Sequence, residues 1–431
     1  MTDVAFVLVL ATFVMTLVVL LLEKINEAAV TMFSMCLCGA VLVLTGTEVS
    51  PGHPMTFVDL VALIEWDTVL FLMSMMIVVA LASSSGMFQY IALVLVQRTH
   101  GRPKNVYMAF LAFVFIISFF LDPLPTMLVM GPFTVEVCRA LQIDFRPVLI
   151  SEAVVSYFAS FPSVVGSVPN LLIVFWAGIH AAEMFFMLLP LTVLLFLVTV
   201  PLLMRTVGKT LCDDRVHDDH LLMMISPTKM IRSRTEFYAS AIGLGTMITG
   251  FVIAPTEVTF IALSVAAVML AVAHDKATDL LKELSWITVF FLIGLFGIVN
   301  ALGVAGVIAG VGGLISSIIG SNAFVGILIM IWIPGFALSA IDNIPVAAFL
   351  APMAVDLGTV SRVVPVSLVI GANVGGYMIP FGDAPNMIVI SLSESHGSHL
   401  TFREYTKATM PIATVHLIVS TLYCFGLALL F

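Results

Sequence analysis

Charged side chains are scarce in this 431-residue chain. Asp, Glu, Lys and Arg make up 10% of it, whereas 61% of its residues are hydrophobic. A soluble globular domain carries roughly 25% charged residues. The charges are therefore too few to cover a water-soluble fold of this size. Long apolar runs recur along the whole sequence, which is typical of an all-α polytopic membrane protein.

The sequence also lacks a disulfide framework and a phosphate-binding loop. Its five cysteines have no regular spacing and are predicted to be reduced thiols that pack as small hydrophobes. The first apolar run has neither a basic start nor a small-residue cleavage site, so it is predicted to be a retained span. Because no Walker motif is present, an ion gradient is expected to drive transport unless a separate ATPase docks.

Ten membrane spans are predicted, five in each half of the chain. Between the third and fourth spans of each half lies an apolar segment with two arms too short for comfortable crossings, which predicts a re-entrant hairpin. The spans are predicted at 4–22, 28–46, 66–97, 147–180, 185–204, 237–253, 258–273, 285–319, 363–395 and 409–430, and the hairpins at 106–141 and 323–357.

The two halves resemble each other at three landmarks that occur in the same order. Asp122 and Asp342 are 220 positions apart, the offset that also separates two tryptophans at the starts of matching spans. The sequences GSVPN at 166–170 and GDAPN at 382–386 follow at an offset of 216. Five spans is an odd number, so the second half is expected to enter the membrane from the opposite side, as inverted repeats of secondary transporters do.

This organisation predicts three parts of the chain. The first inverted repeat covers 1–205, with its broken helix at 147–180, a cytoplasmic linker covers 206–236, and the second repeat covers 237–431, with its broken helix at 363–395. With the N-terminus outside, all of the 17 Lys and Arg residues except Arg362 fall on the inner side, in line with the positive-inside rule. Both termini are therefore predicted outside the plasma membrane.

Asp122 and Asp342 lie at the centres of the predicted hairpins, each three residues before a proline. Proline ends a helix and leaves backbone groups without partners, which a membrane tolerates only against protein or a wet cavity. A carboxylate there costs a few kcal/mol or more unless a proton, a cation or a donor pairs with it. Two interpretations remain open, an ion site and a cap of the following helix, and both roles can coexist.

GSVPN and GDAPN each lie inside a long apolar span, where Gly and Pro together break the helix. Such a break offers carbonyl oxygens to cations and amide groups to anions, although a merely kinked helix is the alternative. Asp383 has Ser167 as its counterpart in the first half, so one half is expected to bind the coupling ion and the other the substrate. The predicted binding residues are Asp342, Asn343, Asp383, Asn386, Asn373, Asp122, Thr126, Ser163, Ser167 and Asn170.

Glu152, early in the fourth predicted span, is a further intramembrane acid. It is interpreted either as a proton relay or as an interfacial acid near Arg146. The histidines show no spacing typical of metal ligands, so no structural metal is expected and only transient Na⁺ binding is considered. No nucleophile–base pair converges at one depth, which argues against an enzyme.

Three stretches resemble a known family. FLDPLPTMLVMGPFTVEVCRAL, LSAIDNIPVAAFLAPM and GANVGGYMIPFGDAPNMIVISLSESHG are similar to signatures of the arsenite pump and sodium–proton antiporter group (ArsB/NhaD), which includes the melanosomal P protein. The resemblance covers 60–205 and 280–431 and implies the ion transporter superfamily fold, with two hairpins and two unwound helices around a central site, and a homodimer. Pro123, where the family has Asn, and Ala159–Ser163, where it has a glycine-rich stretch, depart from the pattern.

The sequence thus predicts a secondary active ion transporter that works by alternating access, with Na⁺/H⁺-coupled exchange through its intramembrane carboxylates. Arsenite, antimonite or another inorganic or carboxylate anion is the alternative substrate. An ion channel on a transporter scaffold is the alternative of another class. No cofactor is expected beyond Na⁺ or H⁺ as the coupling ion. The expected partners are the lipid bilayer, a small inorganic ion and a second copy of the chain, and no nucleic acid.

Overall fold

The computed structural model describes residues 2–22, 24–50, 52–99, 102–207, 226–254, 257–319, 322–358 and 361–430. In this part of the chain nearly all residues are helical, and the only sheet pairs two short strands, β1 (Glu48–Ser50) and β2 (His53–Pro54). The predicted all-α polytopic class is therefore confirmed. Residues 208–225, most of the predicted linker, lie outside the described residues.

Each half contains ten described helices, numbered so that a helix of the first half and its counterpart differ by ten. The first half comprises α1 (Thr2–Leu21), α2 (Glu27–Leu44), α3 (Phe57–Ala62), α4 (Trp66–Ser84), α5 (Met87–Arg98), α6 (Pro103–Ile117), α7 (Pro123–Ala140), α8 (Arg146–Ala159), α9 (Val168–Ala177) and α10 (Ala181–Val207). The second half comprises α11 (Arg234–Ile253), α12 (Val258–Ala273), α13 (Ala277–Glu283), α14 (Trp286–Val304), α15 (Val307–Ile319), α16 (Ala323–Trp332), α17 (Asn343–Gly358), α18 (Val363–Met378), α19 (Ala384–Ser395) and α20 (Phe402–Ala428).

Short irregular helices connect several of these elements. Single 3₁₀ turns lie at Pro227–Met230, His274–Lys276 and Pro380–Gly382, and a π-helical turn, Ile333–Ala337, continues α16. A π-helical turn widens the helix locally and is frequent at functional sites. The turn at 333–337 directly precedes the tip of the second hairpin.

The same local structure is encoded twice at the starts of α4 and α14. The Trp66 indole donates to the Val61 carbonyl at 3.2 Å, and the Trp286 indole donates to the Leu281 carbonyl at 3.0 Å. Both indoles remain partly exposed. Tryptophans with an apolar body and one satisfied polar group are typical of the membrane–water boundary.

Packing between the halves is reciprocal. α2 packs against α14 while α12 packs against α4, and α17 packs against α9 while α19 packs against α7. Each of these contacts therefore has a counterpart in which the halves are exchanged. Such reciprocity is what a two-fold relation between structural repeats produces.

The two predicted spans at 66–97 and 285–319 are each divided into two helices. Gly86, with φ of 83°, lies between α4 and α5, and Gly306, with φ of 78°, lies between α14 and α15. Glycine adopts this left-handed conformation without the steric cost that a side chain brings, and it commonly ends a helix. The long apolar runs therefore turn at glycine rather than continue as single tilted spans.

Five of the described helices are long and apolar enough to cross a membrane, namely α2, α4, α10 up to Arg205, α14 and α20. Large apolar side chains such as Met15, Phe33 and Phe260 are exposed on the outer surface. Lipid is the solvent that such a surface requires. The protein is therefore a multi-pass integral membrane protein.

Hairpins and helix breaks occupy the centre of the fold. In each half, a hairpin tip (118–122 or 338–342) lies beside a helix break (160–167 or 379–383). Prolines near the first turns of α7, α9 and α19 start these helices, because a missing amide proton costs nothing at that position. α17 also has a proline, Pro345, in its first turn, so four helix N-termini lie at the two tips and the two breaks.

Candidate functional site

Three of the four central helices begin at an aspartate. Asp122 accepts a bond from the Leu124 amide of α7 at 3.1 Å, and Asp342 accepts one from the Ile344 amide of α17 at 2.9 Å. Asp383 accepts a bond from the Ala384 amide of α19 at 2.8 Å. All three acids therefore cap helices. The positive end of a helix dipole stabilises a carboxylate at this position, which does not exclude a second ligand.

The second half-site, defined as Asp342, Asn343, Asp383, Asn386 and Tyr157, joins the second hairpin tip to the second helix break. The Asn343 side-chain amide donates to Asp383 Oδ2 at 2.7 Å. The Oδ1 atom of Asn343 is buried and accepts no hydrogen bond. A hydrogen bond to a charged acceptor is among the stronger kinds, so this contact fixes the tip against α19 and leaves an oxygen available.

Three backbone carbonyl oxygens converge beside Gly382 in the same region. A Cβ atom at this glycine would lie 2.7 Å from Gly376 O and 2.8 Å from both Gly375 O and Ser339 O. Only glycine permits this approach, because any side chain would collide with backbone. Carbonyl oxygens of an unwound helix are ligands that transporters use for cations. We refer to these three oxygens as the carbonyl cradle.

Asn386 completes the broken end of α18. Its side-chain amide donates to Gly376 O at 2.6 Å and to Ile379 O at 3.3 Å, and its own oxygen accepts from the Tyr405 hydroxyl at 2.6 Å. These bonds satisfy carbonyls that lost their helical partners at the break. The predicted binding residue Asn386 therefore has a structural role at the site.

Tyr157, which sequence reasoning did not select, also faces the second half-site. Its buried hydroxyl lies beside the Asp383 carboxyl group without completing a regular hydrogen bond. The ring lies close to the ring of Tyr377, with centroids 5.5 Å apart. A tyrosine in the middle of an apolar span was the available signal, since its hydroxyl needs a partner when buried.

The first half-site, defined as Asp122, Ser163, Ser167, Asn170 and Asn373, lies at the other hairpin tip and break. The Asn373 amide donates to Asn170 Oδ1 at 2.7 Å, and the Ser167 hydroxyl donates to Asn373 Oδ1 at 2.9 Å. Asp122 accepts a long bond of 3.4 Å from the Val168 amide at the start of α9. Asn373 thus belongs to the second half of the chain but serves the first half-site.

The carbonyl oxygens of the first break accept hydrogen bonds from one side-chain amide, that of Asn170. The Asn170 side chain donates to Ser160 O at 2.8 Å, Ser163 O at 2.9 Å and Phe161 O at 3.3 Å. The Ser163 hydroxyl donates to Phe119 O at 2.5 Å, which ties the hairpin tip to the break. The polar groups of the first half-site are therefore largely satisfied by one another.

Negative charge concentrates between the two half-sites. Asp383 lies close enough to Asp342 and Asp122 for mutual repulsion. Residues 118–126, 160–170, 338–345 and 373–386, which form both tips and both breaks, contain no Lys, Arg or His. The centre of the molecule is thus suited to a proton or a small cation rather than to an unaccompanied anion.

Two predicted residues lie apart from these contacts. Thr126 is buried one turn into α7, and its hydroxyl has no hydrogen-bond partner. Glu152 is fully buried on α8, where Thr134 of α7 donates to its Oε1 atom at 2.7 Å. Its side chain is therefore enclosed by protein, and both interpretations, the proton relay and the interfacial acid near Arg146, stay predictions.

A polytopic helical protein whose hairpin tips meet broken helices around intramembrane acids is a membrane transporter. The chain belongs to the citrate transporter family (CitMHS), whose family model matches residues 17–367. The predicted ion transporter superfamily is supported. The narrower assignment to the arsenite pump and sodium–proton antiporter group is not established by this match.

Relatives and a solved structure agree with this class. The chain is 23% identical over 428 residues to a 46 kDa membrane protein of Mycobacterium leprae, with 97% of each chain covered. It is 24% identical to an uncharacterized transporter of Mycobacterium tuberculosis, again with 97% of each covered, and 24% identical to the P protein of Sus scrofa, with 89% of this chain and 56% of that protein covered. The solved Alcanivorax borkumensis YdaH transporter shares the fold, with a TM-score of 0.66 and 14% identity, covering 94% of this chain and 100% of that one.

Proposed function

We propose that this protein is a secondary active transporter in which a monovalent cation, Na⁺ or H⁺, binds at the second half-site and drives alternating access. The carbonyl cradle carries this proposal. Its three oxygens, of which Gly376 O also accepts from the Asn386 amide, lie beside Gly382, next to the Asp383 carboxylate and the Oδ1 atom of Asn343, which accepts no hydrogen bond. Such a set of oxygens, with one formal negative charge nearby, matches the chemistry of a sodium site.

The charge balance at the centre supports a single positive ion. Each of the four helix N-termini contributes about +0.5 elementary charge, which gives about +2 in total. Three ionised aspartates contribute −3, so about one negative charge remains. One Na⁺ ion or one proton on Asp342 or Asp383 restores neutrality. A multivalent anion without a cation would instead add to the repulsion.

A carboxylate anion is the proposed substrate, and citrate is the first to test because the matching family carries that description. At the N-termini of α7 and α9 the Leu124 and Val168 amides already bond Asp122, so an anion at the first half-site would rely on the positive ends of the two helix dipoles. Because the charge balance above already uses one cation for the aspartates, a carboxylate substrate would bind together with further cations or protons. The two half-sites would then have different duties, one for the coupling ion and one for the substrate.

Na⁺/H⁺ exchange without an organic substrate is the second candidate. The observation in its favour is the cluster of three acids with no basic residue in either tip or break. Arsenite is a third substrate to compare. An inverted orientation of the second half, a homodimer and a plasma membrane location belong to the same proposal.

The test is flux into proteoliposomes. Radiolabelled citrate, arsenite and radioactive sodium are supplied separately, with an inward Na⁺ gradient, a pH gradient or no gradient. The expected result is uptake that requires a cation gradient and is lost in Asp342→Asn. Asp279→Asn, which alters an exposed acid paired with Lys282 at 3.0 Å, is the matched control. Flux that ignores both gradients would overturn secondary transport, and unchanged flux in Asp342→Asn would overturn the site.

A further inference from the structure

The starts of α8 and α18 carry an arginine in equivalent positions. Arg146 is the first residue of α8, and Arg362 immediately precedes α18. Each arginine stands the same number of residues ahead of the asparagine in its helix break, Asn170 or Asn386. The two arginines are therefore counterparts in the internal repeat.

The starts of α10 and α20 carry a glutamate in equivalent positions. Both helices contain 27 residues. Glu183 is the third residue of α10 and Glu404 the third of α20, while Pro190 and Pro411 are both tenth. The matching prolines fix the register, so the two glutamates are also counterparts.

One of the two equivalent ion pairs is formed and the other is not. Arg362 Nη1 lies 2.9 Å and 2.8 Å from the two carboxylate oxygens of Glu183. Arg146 instead lies against Asp144, with Nη2 2.8 Å from Oδ2, and donates to the His399 carbonyl at 3.1 Å. Arg146 and Glu404 both line a cavity of about 380 Å³ but do not pair with each other.

Local partners explain this difference. Glu404 forms a capping box with Thr401, whose amide and hydroxyl bond its Oε2 atom at 2.9 Å and 2.8 Å. In the first half, the position equivalent to Thr401 is His180, three residues before Glu183. In the second half, the position equivalent to Asp144 is a valine, two residues before Arg362. Arg146 and Glu404 thus each have a nearby alternative partner. The equivalent positions provide neither an aspartate beside Arg362 nor a threonine before Glu183.

We propose that Arg362–Glu183 and Arg146–Glu404 are two latches that close in turn during the transport cycle. This inference rests on the proposed alternating access. In inverted-repeat transporters one repeat or bundle moves against the other around a fixed site, and here the two halves would exchange their latch conformations when the access side changes. The structure then holds one state, with the first latch closed and the cavity behind the second latch open. The other state opens Arg362–Glu183, moves Arg146 from Asp144 to Glu404 and closes the cavity.

The ion pair that is formed is weak enough to open and close during a transport cycle. The side chains of Arg362 and Glu183 are 66% and 28% exposed. A pair this exposed to solvent shifts an equilibrium about fivefold or less, so it biases two states without locking either. A deeply buried pair would hold one state too firmly for a cycle.

The experiment measures how accessible the cavity is when the other latch, Arg362–Glu183, is broken. The five native cysteines are replaced, and Ala408→Cys, which lines the cavity, is labelled with a maleimide in native membranes. Glu183→Gln removes the closed latch, so the labelling rate at position 408 is expected to fall two- to fivefold. Asp144→Asn releases Arg146 and is expected to lower the rate in the same direction.

The double variant Asp144→Asn/Glu404→Gln removes the target of Arg146 and is expected to restore the labelling rate. Glutamine still fits a capping box, so α20 keeps its start. Asp279→Asn breaks an exposed ion pair outside both latches and is the control. An unchanged rate in Glu183→Gln would overturn the inference, because the two faces would then be independent. The labelling needs no substrate, so failure of cation-driven flux alone would count against the proposed function only.

Discussion

The two half-sites are built from the same elements and differ in which polar groups remain available. At the first, the Asn170 amide fills the carbonyl oxygens of the break, and Ser167 and Asn373 bond each other. At the second, the Asn386 amide likewise bonds Gly376 O and Ile379 O, but three carbonyl oxygens converge beside Gly382 and Asn343 keeps an oxygen without a partner. An asparagine thus satisfies part of each break, and the second half-site differs in the oxygens that it keeps for an ion.

The two breaks differ most at Asp383, which carries a charge where its counterpart Ser167 carries a hydroxyl. Asp383→Asn removes the only formal charge at the break, whereas the equivalent change Ser167→Ala removes a neutral hydroxyl. We expect Asp383→Asn to abolish the rise in melting temperature that Na⁺ produces, since a bound ligand stabilises the native state by RT ln(1 + [L]/Kd). Ser167→Ala is expected to keep it. The measurement is thermal unfolding in detergent with NaCl or choline chloride.

Loss of the sodium effect in both variants would place a cation at both half-sites and remove the contrast between them. A sodium effect that persists in Asp383→Asn would instead transfer the cation to another acid. Uptake into proteoliposomes, measured on the same preparations, separates loss of binding from loss of folding.

The hairpin tips differ at Asn343 and Pro123. Asn343→Ala loses a 2.7 Å bond to a carboxylate, and bonds to charged groups contribute about 1.5–3 kcal/mol. Cation-driven uptake is therefore expected to fall about tenfold or more. Pro123→Ala changes a first-turn residue that donates no bond, so its uptake is expected to stay within about twofold of wild type. Equal losses in the two variants would show that tip backbone, rather than the Asn343 amide, is what matters.

Substitution of Asn170 or Asn386 tests how much these side chains stabilise the two helix breaks. Asn170→Ala leaves up to three carbonyls without this partner and leaves the Asn373 amide with only its bond to Val369 O. Asn386→Ala leaves two carbonyls and the Tyr405 hydroxyl without this partner. Buried groups left unpaired cost about 1–3 kcal/mol each before relaxation. Both variants are expected to melt several degrees lower, with Asn170→Ala the less stable. A stable Asn170→Ala protein would show that the first break tolerates open carbonyls.

Local sequence signals predicted the parts of these sites but not their assembly. Proline and glycine act within a few residues, so the helix starts at Pro123 and Ala384 and the breaks before them are readable from the chain. Asn373 serves the opposite half-site and Tyr157 faces Asp383, because the repeats exchange contacts. Such pairings arise from tertiary packing across more than 200 residues, for which a single sequence carries no local pattern.

Tyr157 offers the smallest and most specific test of the contrast. Its hydroxyl lies beside Asp383 without a full hydrogen bond, so Tyr157→Phe removes a weak polar contact and no packing. The apparent affinity for Na⁺ is expected to change about two- to fivefold, in keeping with less than about 1 kcal/mol for such a contact. Tyr107→Phe is the matched control, since it loses a 2.9 Å bond to Ser151. That control is expected to lower the melting temperature without changing sodium affinity. A sodium affinity that moves equally in both variants would mean that Tyr157 acts through general stability, and the second half-site would then end at Asp383 and its hairpin tip.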